Sequence, residues 1–472
     1  MILNREIIRD NFICRTNQFD HVPDMNREQF CERIDKWRSF LVNEGGLRKG
    51  DLVLNSFIFG DTDHYALFFA CAELGIQTWC GNYPYNNPFL DITTLAKVRF
   101  DAIFTNIMAK TFYGNSEIFD FTEEMMERNG GKIFFQEEID IANYDKECSY
   151  SPFVHLDDIL HVTHTSGYSG DDYKFSYLTH RQAMGLGYRN ADALGIRDTL
   201  ALHTNNIHHA RALTTYFLPA IMTCDEHLFY NIPNNTDYWP EDMVKCLEKD
   251  LAREERKVVL AQSDLVLDKL QDFTCSNTEF LLHRGKQKPR TVPVTTIFGE
   301  TDGPHALFIN SRLVDDYYEV EIMDDGTTLV KSETMDSWHM LDEKFVERNG
   351  EYHIIGRRSE HPDTKYLRDI LGHDDFEIIT KYGRKYLVIL DNNWGTRYGF
   401  DDLPDGIWDF DFTSIHTIND NAYTSDETRQ WWALKEHVYR SGFKNNSFEK
   451  FEESRIKGTD NLDIIIDNTR YL

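Results

Sequence analysis

Two consecutive segments near the N-terminus constrain the architecture more than anything else in the chain. In "REQFCERIDKWRSFLVNEGG" the apolar residues Phe30, Ile34, Trp37 and Leu41 recur at helical spacing behind Asn26, a good N-cap, and Gly45-Gly46 stops the run. The chain then turns at Lys49-Gly50-Asp51 into a short apolar strand, Leu52-Val53-Leu54. After it, "HYALFFACAEL", from about Asp63 to Gly75, is apolar almost all round. Such a helix has to be buried, and an apolar strand beside it has to be covered. "DAIFTN" at 101–106 continues the alternation with another short strand. Helices alternating with strands of this kind predict an α/β domain with largely parallel sheets.

The length, 472 residues, allows two or three domains and a large core, and 41% hydrophobic with 13% aromatic residues is too apolar for a disordered chain. No uninterrupted apolar run approaches the roughly eighteen residues a membrane span needs. The start, "MILNREIIRDNFICR", meets charged residues too early for a secretory segment. Eight scattered cysteines without a C-x-x-C predict reduced thiols and a cytoplasmic protein rather than a disulfide frame or a zinc site. A net charge of −29 argues against nucleic-acid or anionic-membrane partners. It also means that an anionic ligand such as ATP needs a local cationic pocket and a metal ion.

"DDILHVTHTSG" reads as a strand running into "TSGYSGDDYKFSYLTH", residues 165–180. A turn rich in glycine and hydroxyls presents backbone N–H groups and Oγ atoms to an anion, and Lys174 adds a cation behind it. There is no G-x-x-x-x-G-K-[ST], which removes the P-loop readings. His161 and His164 are three apart on the expected strand and so face opposite sides, unsuited to sharing a metal ion. A helix is expected from about Arg181, an apolar piece at "TTYFLPAIM", and strands at "TVPVTTIFG" and, with turns, over 306–356. "NGEYHIIGRRSEHPDTKY" reads as a turn, a strand and a charged, proline-bearing linker, placing a domain boundary at Arg357 or Arg358. The remainder reads as a small α+β unit whose clearest strand is "KYLVILDN".

The 165–180 stretch resembles the phosphate loop of the adenylate-forming superfamily, the acyl-CoA synthetases, adenylation domains and luciferases. Thr165, Ser166, Gly167, Ser169, Gly170, Lys174, Thr179 and His180 fall on its T-S-G-T-T-G-x-P-K-G … T/S-H pattern. Tyr173 and Phe175 stand where Pro and Gly are usual, and one residue is inserted before Lys174. Other resemblances lie in the same order along residues 25 to 358. "REQFCERIDKWRSFLVNEGGLRKGDLVL" resembles the family's opening helix and first strand, and "YALFFACAELGIQTWCGNYPYN" the helix and strand after it. "NIHHARALTTYFLPAI" resembles the segment at the acid pocket, "IFGETDG" the Y-G-x-T-E motif, and "MLDEKFVERNGEYHIIGR" the T-G-D … G-R pair.

The resemblance implies a large N-terminal domain, residues 1–356, of layered α/β sheets plus a barrel-like part, and a small mobile α+β C-terminal domain, 357–472. It implies that the Thr165–Lys174 loop binds ATP, with Ser166, Ser169 and Lys174 on the β- and γ-phosphates. Thr301 would contact the α-phosphate, and Asp302 would replace the family's magnesium-ligating glutamate. Asp342 would accept from the ribose hydroxyls. Arg357, fifteen residues on (357 − 342 = 15), would reach the ribose or phosphate. His209 would wall the carboxylate pocket.

Two of the family's features have no clear counterpart. In place of the Gly-Gly-Ala adenine turn stands "LLHRGKQKPR", with Gly285 only thirteen residues before Phe298 (298 − 285 = 13), as though the intervening helix were deleted. The region expected to carry the small domain's lysine, "FTSIHTINDNAYTSDETRQWWAL", contains none; Lys435 and Lys444 lie nearby. Two readings therefore stay open. One is an AMP-forming ligase that activates a carboxylic acid with Mg-ATP. The other is a non-catalytic homologue that binds a nucleotide or a protein partner. "NNIHHARA" lacks the aspartate that amino-acid adenylation domains use for the α-amine, which favours an acid without one. The acceptor, whether coenzyme A, a carrier-protein thiol, an amine or a hydroxyl, stays open.

Overall fold

A computed structural model describes residues 2–16, 24–57, 60–80, 98–106, 123, 126–164, 175–204, 207, 212–230, 232, 239–261, 264–283, 290–300, 303, 305–313, 316–332, 335, 337–358, 363–371, 376–381, 384–391, 406–410 and 414–419. The chain divides into two compact units: among the described residues, those up to Ile355 other than Val98 belong to the first, and Val98 with those from Gly356 on to the second.

The first unit is built on two large sheets. One has six strands, in the order Lys132–Phe135, Ala102–Thr105, Leu52–Asn55, Gln77–Cys80, Ile159–His164 and Phe175–Thr179. All its pairings are parallel except the last, which is antiparallel and carries a register shift between Ile159 and His161. The other has eight strands, ordered Phe308–Ile309, Val294–Phe298, Thr278–His283, Lys257–Ala261, Leu200–His203, Glu226–Phe229, Ile13–Thr16 and Met25–Asn26. Its six central strands are mutually parallel and its two edges antiparallel. This is the mixed α/β architecture with parallel sheets that the alternating pattern predicts.

The helices at Arg27–Asn43 (α1) and Thr62–Leu74 (α2) follow from local chemistry. Asn26 and Gln29 exchange side-chain and backbone hydrogen bonds in a capping box, and Phe30, Ile34, Trp37 and Leu41 are buried on one face of α1. In α2 every residue except Glu73 is buried, and Gly75 closes the helix with a left-handed φ of 64°. Its aromatic residues link the sheets. Tyr65 stacks on Phe229 of the eight-stranded sheet at 4.2 Å, and Phe68 meets His161 of the six-stranded sheet edge-on at 6.4 Å. Glu73 binds Arg5, which also pairs with Asp35 of α1 and so fastens the N-terminal segment to both helices.

Beyond the eight-stranded sheet come a three-stranded antiparallel sheet (Tyr318–Ile322, Thr328–Ser332, His339–Met340) and a hairpin of Glu343–Arg348 with Glu351–Arg357. The second unit contains a helix, Thr364–Leu371, and a sheet of Phe376–Lys381, Arg384–Asp391 and Ser414–Asn419. Leu367, Leu371, Leu387 and Ile407 form its small core. No described helix is long and apolar enough to cross a membrane.

Candidate functional site

Val294–Phe298 and Leu200–His203 are parallel strands of one sheet, so the segments that leave their carboxyl ends start from the same edge. In open parallel sheets this is where ligands bind. The first segment is "GETDG", the second "TNNIHHAR".

Glu300, two residues past Phe298, is buried. One oxygen accepts the backbone N–H of Asp342 at 2.7 Å, and the other lies 3.1 Å from His339 Nε2. The Glu343 carboxyl, also buried, hydrogen-bonds to it as well, which two carboxyl groups can do only by sharing a proton. Burial pushes the Glu300 carboxyl upward. The bonds from His339, Glu343 and the Asp342 N–H outweigh that, holding it below its usual range. The His339 ring is packed so closely over Gly303 that a Cβ there would lie 2.5 Å from His339 Nε2. Residues 300 and 303 of the strand exit, His339 of the next sheet, and Asp342 and Glu343 where the chain enters the hairpin thus form one polar cluster.

Of the expected site residues, Asp342 lies in this cluster, half-buried in the turn between His339–Met340 and Glu343–Arg348. Arg357 is the last residue of the strand Glu351–Arg357. Thr165, Ser166, Gly167, Ser169, Gly170, Lys174, His209, Thr301 and Asp302 lie outside the described residues, as do Gly285, Lys435 and Lys444. Thr179 caps the helix His180–Ala193 through a capping box with Gln182. His180 is buried and accepts the Leu3 N–H at Nδ1. These last two matches to the phosphate-loop pattern therefore have structural work in this chain.

A second polar group surrounds the buried turn at Leu213–Phe217. Leu213–Phe217 is one turn of π-helix, fully buried, running into the helix Leu218–Thr223. Thr214 Oγ1 is 2.7 Å from His305 Nδ1, Asn190 donates to the Thr214 carbonyl, and Tyr318 donates to the His305 carbonyl. Arg189 donates to the carbonyl of Ala306, whose φ is +52°, and lies over the Tyr317 and Tyr318 rings. Left-handed backbone at a non-glycine residue and a π-turn both concentrate at functional sites. Sequence reasoning missed Glu300, His339 and His305. A charged residue directly after a buried strand, in "IFGETDG", was the available signal for the first.

No protein-family profile and no curated protein sequence matches the chain. Solved structures do. ATP-bound MatB from Rhodopseudomonas palustris matches with a TM-score of 0.65 at 13% identity, over 94% of this chain and 99% of that one. A long-chain-fatty-acid-CoA ligase from Archaeoglobus fulgidus gives 0.61 at 13%, over 88% and 97%. O-succinylbenzoate coenzyme A synthetase from Bacillus subtilis, in complex with AMP, gives 0.62 at 14%, over 88% and 93%. At such identities the common property is the fold, and this chain has the fold of these three structures.

Proposed function

We propose that the protein uses ATP to activate a carboxylic acid as an acyl-adenylate and then passes the acyl group to an acceptor. The observation that carries this is the fold, matched over 94% of this chain and 99% of ATP-bound MatB. The collinear motifs support the same reading. In it the acid's carboxylate attacks the α-phosphorus, the α–β bridging bond breaks, and pyrophosphate leaves. Lys174, Ser166 and Ser169 hold the β- and γ-phosphates as charge builds on the leaving group, within a loop that Thr165, Gly167 and Gly170 complete. Thr301 meets the α-phosphate, Asp342 the ribose hydroxyls, and Arg357 the ribose or phosphate. His209 walls the acid. Residues 1–356 form the AMP-binding domain and 357–472 the small mobile one. The acceptors that fit the family are coenzyme A or a carrier-protein thiol.

Among the described residues no group of three or more His, Cys, Asp or Glu is disposed to hold a metal ion. Magnesium on a nucleotide asks for less: one or two carboxylates, with phosphate oxygens and water filling the octahedron. Asp302 is a donor of that kind, and an ion there would neutralise phosphate charge. The counter-reading, a non-catalytic homologue, is favoured by one observation: residues 412–434 contain no lysine. In-line approach of two anions needs a cation between them.

Pyrophosphate exchange decides between the two. With an accepted acid, the wild type returns labelled pyrophosphate to ATP at least about tenfold faster than Lys174→Ala or Asp302→Ala. If no member of a panel of aliphatic, aromatic and dicarboxylic acids supports exchange above those variants, the protein is the non-catalytic homologue. Lys435→Ala and Lys444→Ala, tested separately, show whether either replaces the missing lysine. In calorimetry Lys174→Ala weakens ATP more than AMP, whereas Asp342→Ala weakens both alike.

A further inference from the structure

Glu300 stands at the x position of the Y-G-x-T-E-like segment, where nothing in the proposed chemistry calls for an acid. It is buried, yet it carries three hydrogen bonds from one short stretch: the His339 ring, the Asp342 N–H and the Glu343 carboxyl. The backbone bond is short, 2.7 Å, and joins positions 42 residues apart. The Leu341 N–H, one residue earlier, is fixed to the Thr328 carbonyl, and the Leu341 side chain is buried. The peptide that carries Asp342 is therefore held on both sides, by the neighbouring strand and by Glu300. Met340 and Leu341 stand where the resembling motif has Thr and Gly, so the turn has no glycine of its own to set its shape.

We propose that Glu300 and His339 are positioning residues for the nucleotide ribose: Glu300 fixes the Asp342 peptide and thereby the direction of its carboxylate, and His339 fixes Glu300. This rests on the reading of Asp342 as the ribose acceptor. Neither residue touches the nucleotide; both act through Asp342. Gly303 belongs to the device, because only a residue without a Cβ leaves the His339 ring its place against Glu300.

A purely structural role would weaken every nucleotide alike. A role through Asp342 weakens only those with ribose hydroxyls. The test is calorimetric titration with ATP and with 2′,3′-dideoxy-ATP, and its reading is the affinity ratio of the two. The wild type prefers ATP by about tenfold or more, as expected for hydrogen bonds to a charged carboxylate. Glu300→Ala brings the ratio close to one, with affinity for the dideoxy nucleotide within about threefold of wild type. His339→Ala lowers the ratio, and His339→Gln, which restores a donor to Glu300, recovers it. Since the His339 side chain is 22% exposed, that pair carries the test if the buried Glu300→Ala fails to fold. A wild type with no preference for ATP overturns the ribose reading, and the positioning role with it. A wild-type preference that survives in Glu300→Ala and His339→Ala, or an equal loss of both nucleotides, overturns the positioning role alone.

Discussion

Asp63 shows how much of a residue's work a sequence pattern conceals. Its carboxylate accepts the Trp37 indole N–H at 2.8 Å and both oxygens lie 3.1 Å from Arg33, while Asp61 nearby caps α2 and accepts from Gln136. Burial pushes both carboxyls up, Asp61 to about 6. Trp37 was legible as a core residue from its helical spacing with Ile34 and Leu41. Its polar partner was not, because it arrives from 26 residues away on another helix. Removing Arg33 leaves a buried carboxylate without its cation, so Arg33→Ala should cost about 3–5 kcal/mol in urea unfolding, against about 1–3 for Trp37→Phe. Equal small losses would mean that the cluster is open to water. The same limit applies at the candidate site. The spacing of Asp342 and Arg357 could be read along the chain, whereas Glu300 acquires its meaning only from the Asp342 N–H it accepts.

Among the elements, those announced by periodicity and caps were legible. The helix behind Asn26, the strand at Leu52 and the apolar helix closed by Gly75 appear where the pattern put them, and the helix expected from about Arg181 begins at His180. What stayed hidden depends on distant partners. Ile13–Thr16 joins the eight-stranded sheet by pairing with Glu226–Phe229, more than two hundred residues on (226 − 13 = 213), and no local signal announces such a pairing. The π-turn at Leu213–Phe217 likewise follows from tertiary demands, since Tyr216 donates to the Leu202 and Val258 carbonyls on two strands. For α1 the capping box makes a simple forecast. Asn26→Ala removes an acceptor for the Gln29 N–H and should lower stability by about 1 kcal/mol, whereas Asn26→Ser should be nearly silent. Both are read from the urea midpoint at unchanged slope.

Over the whole molecule two acid-linked effects oppose each other. A net charge of −29 means self-repulsion that protonation relieves, which on its own would favour the fold as pH falls toward the pI of about 5.0. Against this stand four of the buried histidines: His64, His180, His203 and His227. Burial lowers His64 to about 3 and His180 and His227 to about 4, and it drives His203, 3.0 Å from His227, well below its ordinary value. His227 Nε2 faces the Cys224 carbonyl and so carries a proton, which makes its Nδ1 the acceptor and His203 Nε2 the donor, with both rings neutral. Between pH 6.5 and about 4 the unfolded chain binds protons that the folded one refuses. The stability these histidines contribute is complete above 6.5 and is lost as pH falls through that window. A depression to about 4 is worth on the order of 3 kcal/mol for each of His180 and His227. Asp61, raised to about 6, works in the other direction with similar weight, since the fold favours its protonated form below pH 6. Among the described residues, the four lowered histidines outnumber the raised pair Asp61 and Asp63 and decide the sign. The urea midpoint should hold level from pH 8 to 7 and fall steadily from about 6.5 to 4.5. Lowering the pH from 7 to 5 should release the fold more readily in low salt and in high salt alike, because buried groups are little screened. A midpoint that rises toward pH 5 would mean that relief of surface repulsion outweighs the buried imidazoles.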